Sequence, residues 1–173
     1  MYQRILVPVD GSSTSKLGLE EAIRLAKLTQ GQLRLLHVID ELSFALGMDA
    51  YAGYSVDWLK VVRENGRRLL DEACATARAA GVEADTVLCD TFSSPVYELV
   101  NAEVRKWPAD LIVVGTHGRR GIGRAVMGSG AENILRHASV PVLLVRAPEA
   151  APKAEVQEAP AQVSLPTGAL AFE

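Results

Sequence analysis

The sequence predicts an α/β fold: an open, parallel, five-stranded sheet in the spatial order 3-2-1-4-5, with helices on both faces. Three observations predict it. Five short runs rich in Ile, Leu and Val alternate with four segments of helical period. The apolar runs are nearly continuous, as in strands buried on both sides of a parallel sheet. Small and polar residues mark each hand-over from strand to helix, most clearly Gly115-Thr-His-Gly118 followed nine residues later by Gly128-Ser129.

Residues 4–9 form the first strand, which ends at Pro8-Val9-Asp10-Gly11, and Ser12 or Ser13 is placed to cap the next helix. Leu19, Ala22, Ile23 and Ala26 share one face of that helix, and Gln30-Gly31 closes it. Residues 32–39 are the second strand. Residues 40–55 form a long connection without a clear period; its Phe44, Tyr51 and Tyr54, with Trp58 beyond, are candidates to cover a ligand or a partner. A long helix over residues 56–80 carries Leu59, Val62, Gly66, Leu69, Leu70, Ala73 and Ala77 at helical spacing and stops at Gly81. Residues 83–89 are the third strand. Ser93-Ser94-Pro95 opens the third helix with a cap and a first-turn proline, and Trp107-Pro108 ends it. Residues 110–114 are the fourth strand. The fourth helix runs from Ser129 to about His137, and Val140-Pro-Val-Leu-Leu-Val145 is the fifth strand.

Right-handed crossovers leave few strand orders. Strands two and three grow to one side of strand one, and strand four returns to its other side. Ligands of such sheets sit at the carboxyl ends of the strands flanking the point where the order reverses. Asp10-Gly11 and Gly115-Thr116-His117-Gly118, over a hundred residues apart, therefore converge on one crevice.

Composition sets limits. A chain of 173 residues with 49% hydrophobic and 23% charged residues has room for one domain with a full core. A net charge of −3 and the lack of a basic cluster beyond Arg67-Arg68 and Arg119-Arg120 argue against a nucleic-acid partner. No apolar run reaches the length that spans a membrane, and the chain enters a strand at once, with no signal peptide. Cys74 and Cys89 fit no metal spacing and read as reduced thiols of a cytoplasmic protein. His37, His117 and His137 lie on different elements, which speaks against a histidine metal site. From residue 147 the composition shifts to Pro, Ala and Glu. Residues 147–173 are either a flexible tail or an arm whose Val163, Leu165, Leu170 and Phe172 dock on a partner.

The glycine segment suits phosphate. Glycine lets backbone approach an anion, and the first turn of a helix offers unpaired N–H groups with partial positive charge. Ser129, Gly130 and Ala131 would present those groups, with the Ser129 hydroxyl as a further donor; Gly115, Thr116 and Gly118 line the approach, and Arg119, Arg120 and Arg124 are near enough in sequence to neutralise charge. The plainer reading is a sharp strand-to-helix turn. A carboxylate at Asp10 would repel phosphate. It suits ribose hydroxyls, or a divalent ion that bridges to phosphate, or a helix cap. Val38, at the end of strand two, could meet an adenine edge through its backbone, with Pro8 and Val9 as apolar walls. The Walker pattern, an in-register GxGxxG and the GxSxG elbow are all absent.

Ile5-Leu-Val-Pro-Val-Asp-Gly-Ser12, the Gly-x2-Gly-x9-Gly-Ser spacing and Val140-Pro-Val-Leu-Leu-Val145 together resemble the universal stress protein family, over residues 1–146. The glycine spacing is similar to that of its ATP-binding branch. The resemblance implies one Rossmann-like (adenine nucleotide alpha-hydrolase-like) domain that binds ATP, with Mg2+ or Mn2+ held indirectly near Asp10. It places Asp10 at the ribose, Val38 near adenine, and Gly115, Gly118, Gly128 and Ser129 around the phosphates. It also implies a homodimer through the last strand, and an uncovered apolar edge at residues 140–145 invites such pairing on physical grounds. Three functions fit. The first is a regulatory module whose nucleotide state an unknown protein partner reads; no catalytic base or activated nucleophile is evident in the sequence. The second is a slow ATPase or a phosphotransferase, acting on itself at or near Ser129. The third is a chaperone-like protein that uses the tail.

Overall fold

A computed structural model describes residues 1–39, 58–90, 94–116 and 127–147. Among them the elements run β1 (Arg4–Pro8), α1 (Ser13–Thr29), β2 (Gln32–Val38), α2 (Trp58–Ala79), β3 (Ala84–Cys89), α3 (Val96–Lys106), β4 (Leu111–Gly115), α4 (Ser129–His137) and β5 (Val142–Val145). The long connection, His117 to Arg124, and the tail beyond Ala147 lie outside the described residues.

The sheet is parallel throughout, in the order β3-β2-β1-β4-β5, as the sequence predicts. Side-chain alternation along β1 explains its two layers. Ile5 and Val7 point to one face, where Leu19, Ala22 and Ile23 of α1 and Leu70 and Ala77 of α2 cover them. Leu6 points to the other, beneath Val100 and Val104 of α3 and Ala131 and Ile134 of α4. Burial on both faces is why β1 and β4, at the centre of the sheet, read as nearly unbroken apolar runs. Arg34 interrupts the run in β2. Its guanidinium pairs with Asp85 and with the buried Glu103, at 2.8 Å, and lies 4.6 Å from the Trp107 ring. These bonds, to Asp85 first and then to Glu103, outweigh desolvation and raise its pKa, so the cation pins α3 to the sheet.

Several boundaries differ from the sequence expectation, each for a local reason. Ser12, rather than Ser13, caps α1: its Oγ accepts from the Ser15 N–H at 3.1 Å. Pro95 is the N-cap of α3 instead of a first-turn residue and makes no side-chain cap; its carbonyl accepts from the Glu98 N–H at 3.0 Å, and Ser93 lies outside the described residues. In β5 the ladder starts at Val142 because Pro141 has no N–H to give, although its carbonyl accepts from the Ile112 N–H at 3.0 Å. Gln30 itself takes the left-handed conformation that ends α1, with φ 55°. β4 extends one residue further than expected, to Gly115.

Candidate functional site

The order reverses between β1 and β4, and the carboxyl ends of these strands carry the residues singled out from sequence. At β1 the chain turns through Asp10 and Gly11, whose φ of 83° is a left-handed value that glycine adopts without strain. The turn is held by its own side chains. Asp10 Oδ1 accepts from the Ser12 N–H at 2.9 Å, and Ser15 Oγ accepts from the Asp10 N–H at 3.2 Å. The carboxylate thus stands beside the positive end of α1, where a negative charge is favoured.

At β4 the geometry is set by close backbone approach. A Cβ on Gly115 would lie 2.6 Å from the Thr14 carbonyl and 2.9 Å from the Ser15 nitrogen, so only glycine lets the first turn of α1 rest on the strand end. A Cβ on Gly18 would come within 3.3 Å of the Gly115 nitrogen, which makes the next turn of α1 close-packed as well. Gly115 therefore has a packing reason to be glycine, one that the sequence pattern did not separate from phosphate approach. Thr116 is buried; its N–H donates to the Val145 carbonyl at 2.9 Å, and its own carbonyl accepts from the Gly128 N–H at 2.8 Å. That second bond returns the chain to the end of β4 and starts α4 there. The Thr116 amide is thus engaged by β5.

The start of α4 differs from that of α1. Gly128 is its N-cap, in extended conformation (φ −62°, ψ 141°), and contributes no side-chain acceptor to the first turn. Ser129 and Gly130 are exposed, and a Cβ built on Gly130 meets open space. Orphan N–H groups at a helix start, a small residue and an exposed hydroxyl make a surface that can receive an anion. Gly118 and Arg119, the other predicted phosphate residues, lie outside the described residues.

Val38 closes β2, half-buried, and Pro8 and Val9 flank it at the end of β1. At the end of β3, Asp90 is paired with Arg63 of α2 at 2.7 Å. Burial pushes the thiol pKa of neighbouring Cys89 up, and the Glu103 carboxylate adds to the shift, so this thiol resists ionisation. Among the described residues no three His, Cys, Asp or Glu side chains converge as metal ligands, and no helix is long and apolar enough to cross a membrane.

The sequence reading missed two participants. The hydroxyl of Ser15 anchors Asp10, and the buried imidazole of His37 reaches Val9. A histidine inside the apolar run Leu35-Leu-His-Val38 was the available signal, since a buried polar ring must find a partner.

The model of the universal stress protein family matches residues 1–146. The chain belongs to that family. It is 33% identical over 150 residues to universal stress protein MJ0531 of Methanocaldococcus jannaschii, covering 86% of this chain and 85% of the relative. Among solved structures it resembles a universal stress protein family member from Burkholderia pseudomallei, 35% identical with a TM-score of 0.65, over 84% of this chain and 97% of the other. Two more distant members share the fold and were solved with adenine nucleotides. One is a universal stress protein in complex with cAMP (23% identity, TM-score 0.59, 84% and 97% covered). The other is the Archaeoglobus fulgidus protein in complex with dAMP (21%, 0.60, 83% and 98%).

Proposed function

We propose that this universal stress protein binds ATP at the switch-point crevice and acts as a regulatory nucleotide-binding module in the stress response. The observation that carries this reading is the 2.8 Å bond from the Gly128 N–H to the Thr116 carbonyl. It brings the start of α4 back to the strand end on which the first turn of α1 rests, so an anion site and the Asp10 turn adjoin one crevice. Gly128, Ser129 and Gly130 take the phosphates from α4, with Gly118 and Arg119 from the loop before it, while Gly115 and Thr116 hold the strand end. Asp10 takes the ribose, and Val38, with Pro8 and Val9, takes adenine. The fit is chemical: glycine and serine at an exposed helix start suit phosphate oxygens, and a carboxylate at the adjoining turn suits hydroxyls. Mg2+ or Mn2+ would be carried on the nucleotide phosphates near Asp10, a carboxylate being a ligand such hard cations favour. Binding of cAMP and dAMP by fold relatives supports the adenine-nucleotide class.

The module works as a cytoplasmic homodimer paired through β5, and a protein partner reads its nucleotide state. Leu143 on that edge and Leu135 on α4 are 36% and 43% exposed, an apolar margin that a second copy would cover. Residues 1–146 form the nucleotide-binding domain and residues 147–173 a separate tail. The test is to denature the purified protein and identify the released nucleotide by anion exchange, beside a Gly118→Val/Gly128→Val protein. Near-stoichiometric ATP from the native protein and none from the variant is the expected result. Absence of nucleotide, with no binding on addition of millimolar ATP and magnesium, would leave the loop a structural turn.

A further inference from the structure

We infer that His37 is a positioning residue of the nucleotide crevice, holding the Asp10 turn against the strand end that carries Val38; the inference rests on the nucleotide-binding reading above. The ladder between β1 and β2 has its last register pair at Pro8 and Leu36. One residue on, Val9 is gripped twice by consecutive β2 residues. Its N–H donates to the Leu36 carbonyl at 2.8 Å, and its carbonyl lies 2.7 Å from His37 Nδ1. A carbonyl can only accept, so Nδ1 carries the proton. The imidazole thus continues the strand pairing by a side-chain bond at the point where the chain leaves the sheet for Asp10. His37 is also the residue before Val38. One side chain ties the two halves of the proposed site, the ribose turn and the adenine edge.

The surrounding core is shaped to keep the ring there. His37 is 3% exposed. A Cβ on Gly66 of α2 would lie 2.9 Å from its Cδ2, and one on Gly11 would lie 2.7 Å from Leu69 Cδ1. One stretch of α2 therefore backs both the imidazole and the Asp10-Gly11 turn. Packing alone does not explain a histidine at this position. Leucine or valine would fill the apolar site without the cost of burying polar ring atoms, which is recovered only through hydrogen bonds.

The test titrates ATP into the wild-type protein, His37→Leu, His37→Asn, Asp10→Asn and the His37→Leu/Asp10→Asn double variant, with helix content and thermal melting recorded for each. Asparagine offers an amide donor near the place of Nδ1 and leucine does not. His37→Leu is expected to weaken ATP about tenfold and His37→Asn to recover to within about threefold of wild type. Because His37 acts through the Asp10 turn, the double variant is expected to fall no more than about threefold below Asp10→Asn alone. Wild-type affinity in His37→Leu, equal losses in the leucine and asparagine variants, or additive losses in the double variant would each overturn the inference. Should the leucine variant not fold, His37→Gln and His37→Asn are compared instead, the longer amide being unable to sit at the place of Nδ1; weaker ATP binding by the glutamine variant with unchanged helix content supports the tie, and equal affinity overturns it. A wild-type protein that binds no nucleotide would instead remove the nucleotide-binding reading, and the inference with it.

Discussion

The two turns that meet at the switch point are built in opposite ways. The turn from β1 into α1 satisfies itself: Ser12 caps the helix, Asp10 Oδ1 accepts the Ser12 N–H, and Ser15 holds the Asp10 N–H. The turn into α4 starts at Gly128, which brings no capping side chain, and among the described residues it is fixed through backbone to Thr116. A capped helix start is stable by itself and has few backbone N–H groups left to offer an anion, whatever its carboxylate does for hydroxyls. An uncapped one gives up stability, about 1 kcal/mol by the usual worth of a cap, and keeps its donors for something else. The contrast separates a turn whose backbone donors are already engaged from one that can receive an anion, within a single crevice.

The largest expected effect tests which side of the contrast Gly115 belongs to. Gly115→Val puts carbon where the Thr14 carbonyl stands, 2.6 Å away for the first atom alone. A loss of about 3 kcal/mol is expected, a fall in Tm of about 6–12 °C, measured by thermal unfolding without ligand. A Tm within a degree of wild type would return Gly115 to a role purely in ligand approach. Next comes Gly128→Asp, which gives α4 the cap that α1 already has. The φ and ψ of Gly128 suit any L-residue. The expected outcome is unchanged or slightly higher Tm together with ATP binding about tenfold or more weaker, because a carboxylate would occupy the place of a phosphate. Ser12→Ala should do the converse. It costs about 1 kcal/mol, or about 2–4 °C in Tm, and leaves ATP affinity within about twofold. The smallest effect is expected of Gly130→Ala, whose methyl group meets open space. It should stabilise α4 by about 0.5 kcal/mol and change ATP affinity less than about twofold, since the phosphate contact at that position is backbone.

Most of the architecture was legible because both-face burial writes itself into sequence. Ile5-Leu-Val7, Leu35-Leu36 and Leu111-Ile-Val-Val114 are fully or almost fully buried runs, and the helical spacing of Leu19, Ala22, Ile23 and Ala26 matches the buried stripe of α1. Strand order followed from handedness and from the return of the chain to the far side of β1. Capping was less legible. Serines at 12 and 13 look equivalent in sequence, and only the backbone decides which one bonds. The site was legible as a place and not as a division of labour. A glycine needed for contact with Thr14 and a glycine needed for an anion carry the same letter. An amide such as that of Thr116, already given to Val145, cannot be recognised before the neighbouring strand is placed. His37 was hidden for a related reason: the carbonyl it reaches is 28 residues away, just past the end of β1.

The measurement that tests the central claim most directly is calorimetric titration of the wild-type protein with ATP and, separately, with adenosine. If the start of α4 receives phosphate, ATP binds at least about a hundredfold more tightly than adenosine, and Gly128→Asp removes most of that difference. Equal affinities for the two ligands, or a preference for ATP that survives the aspartate at Gly128, would contradict the claim.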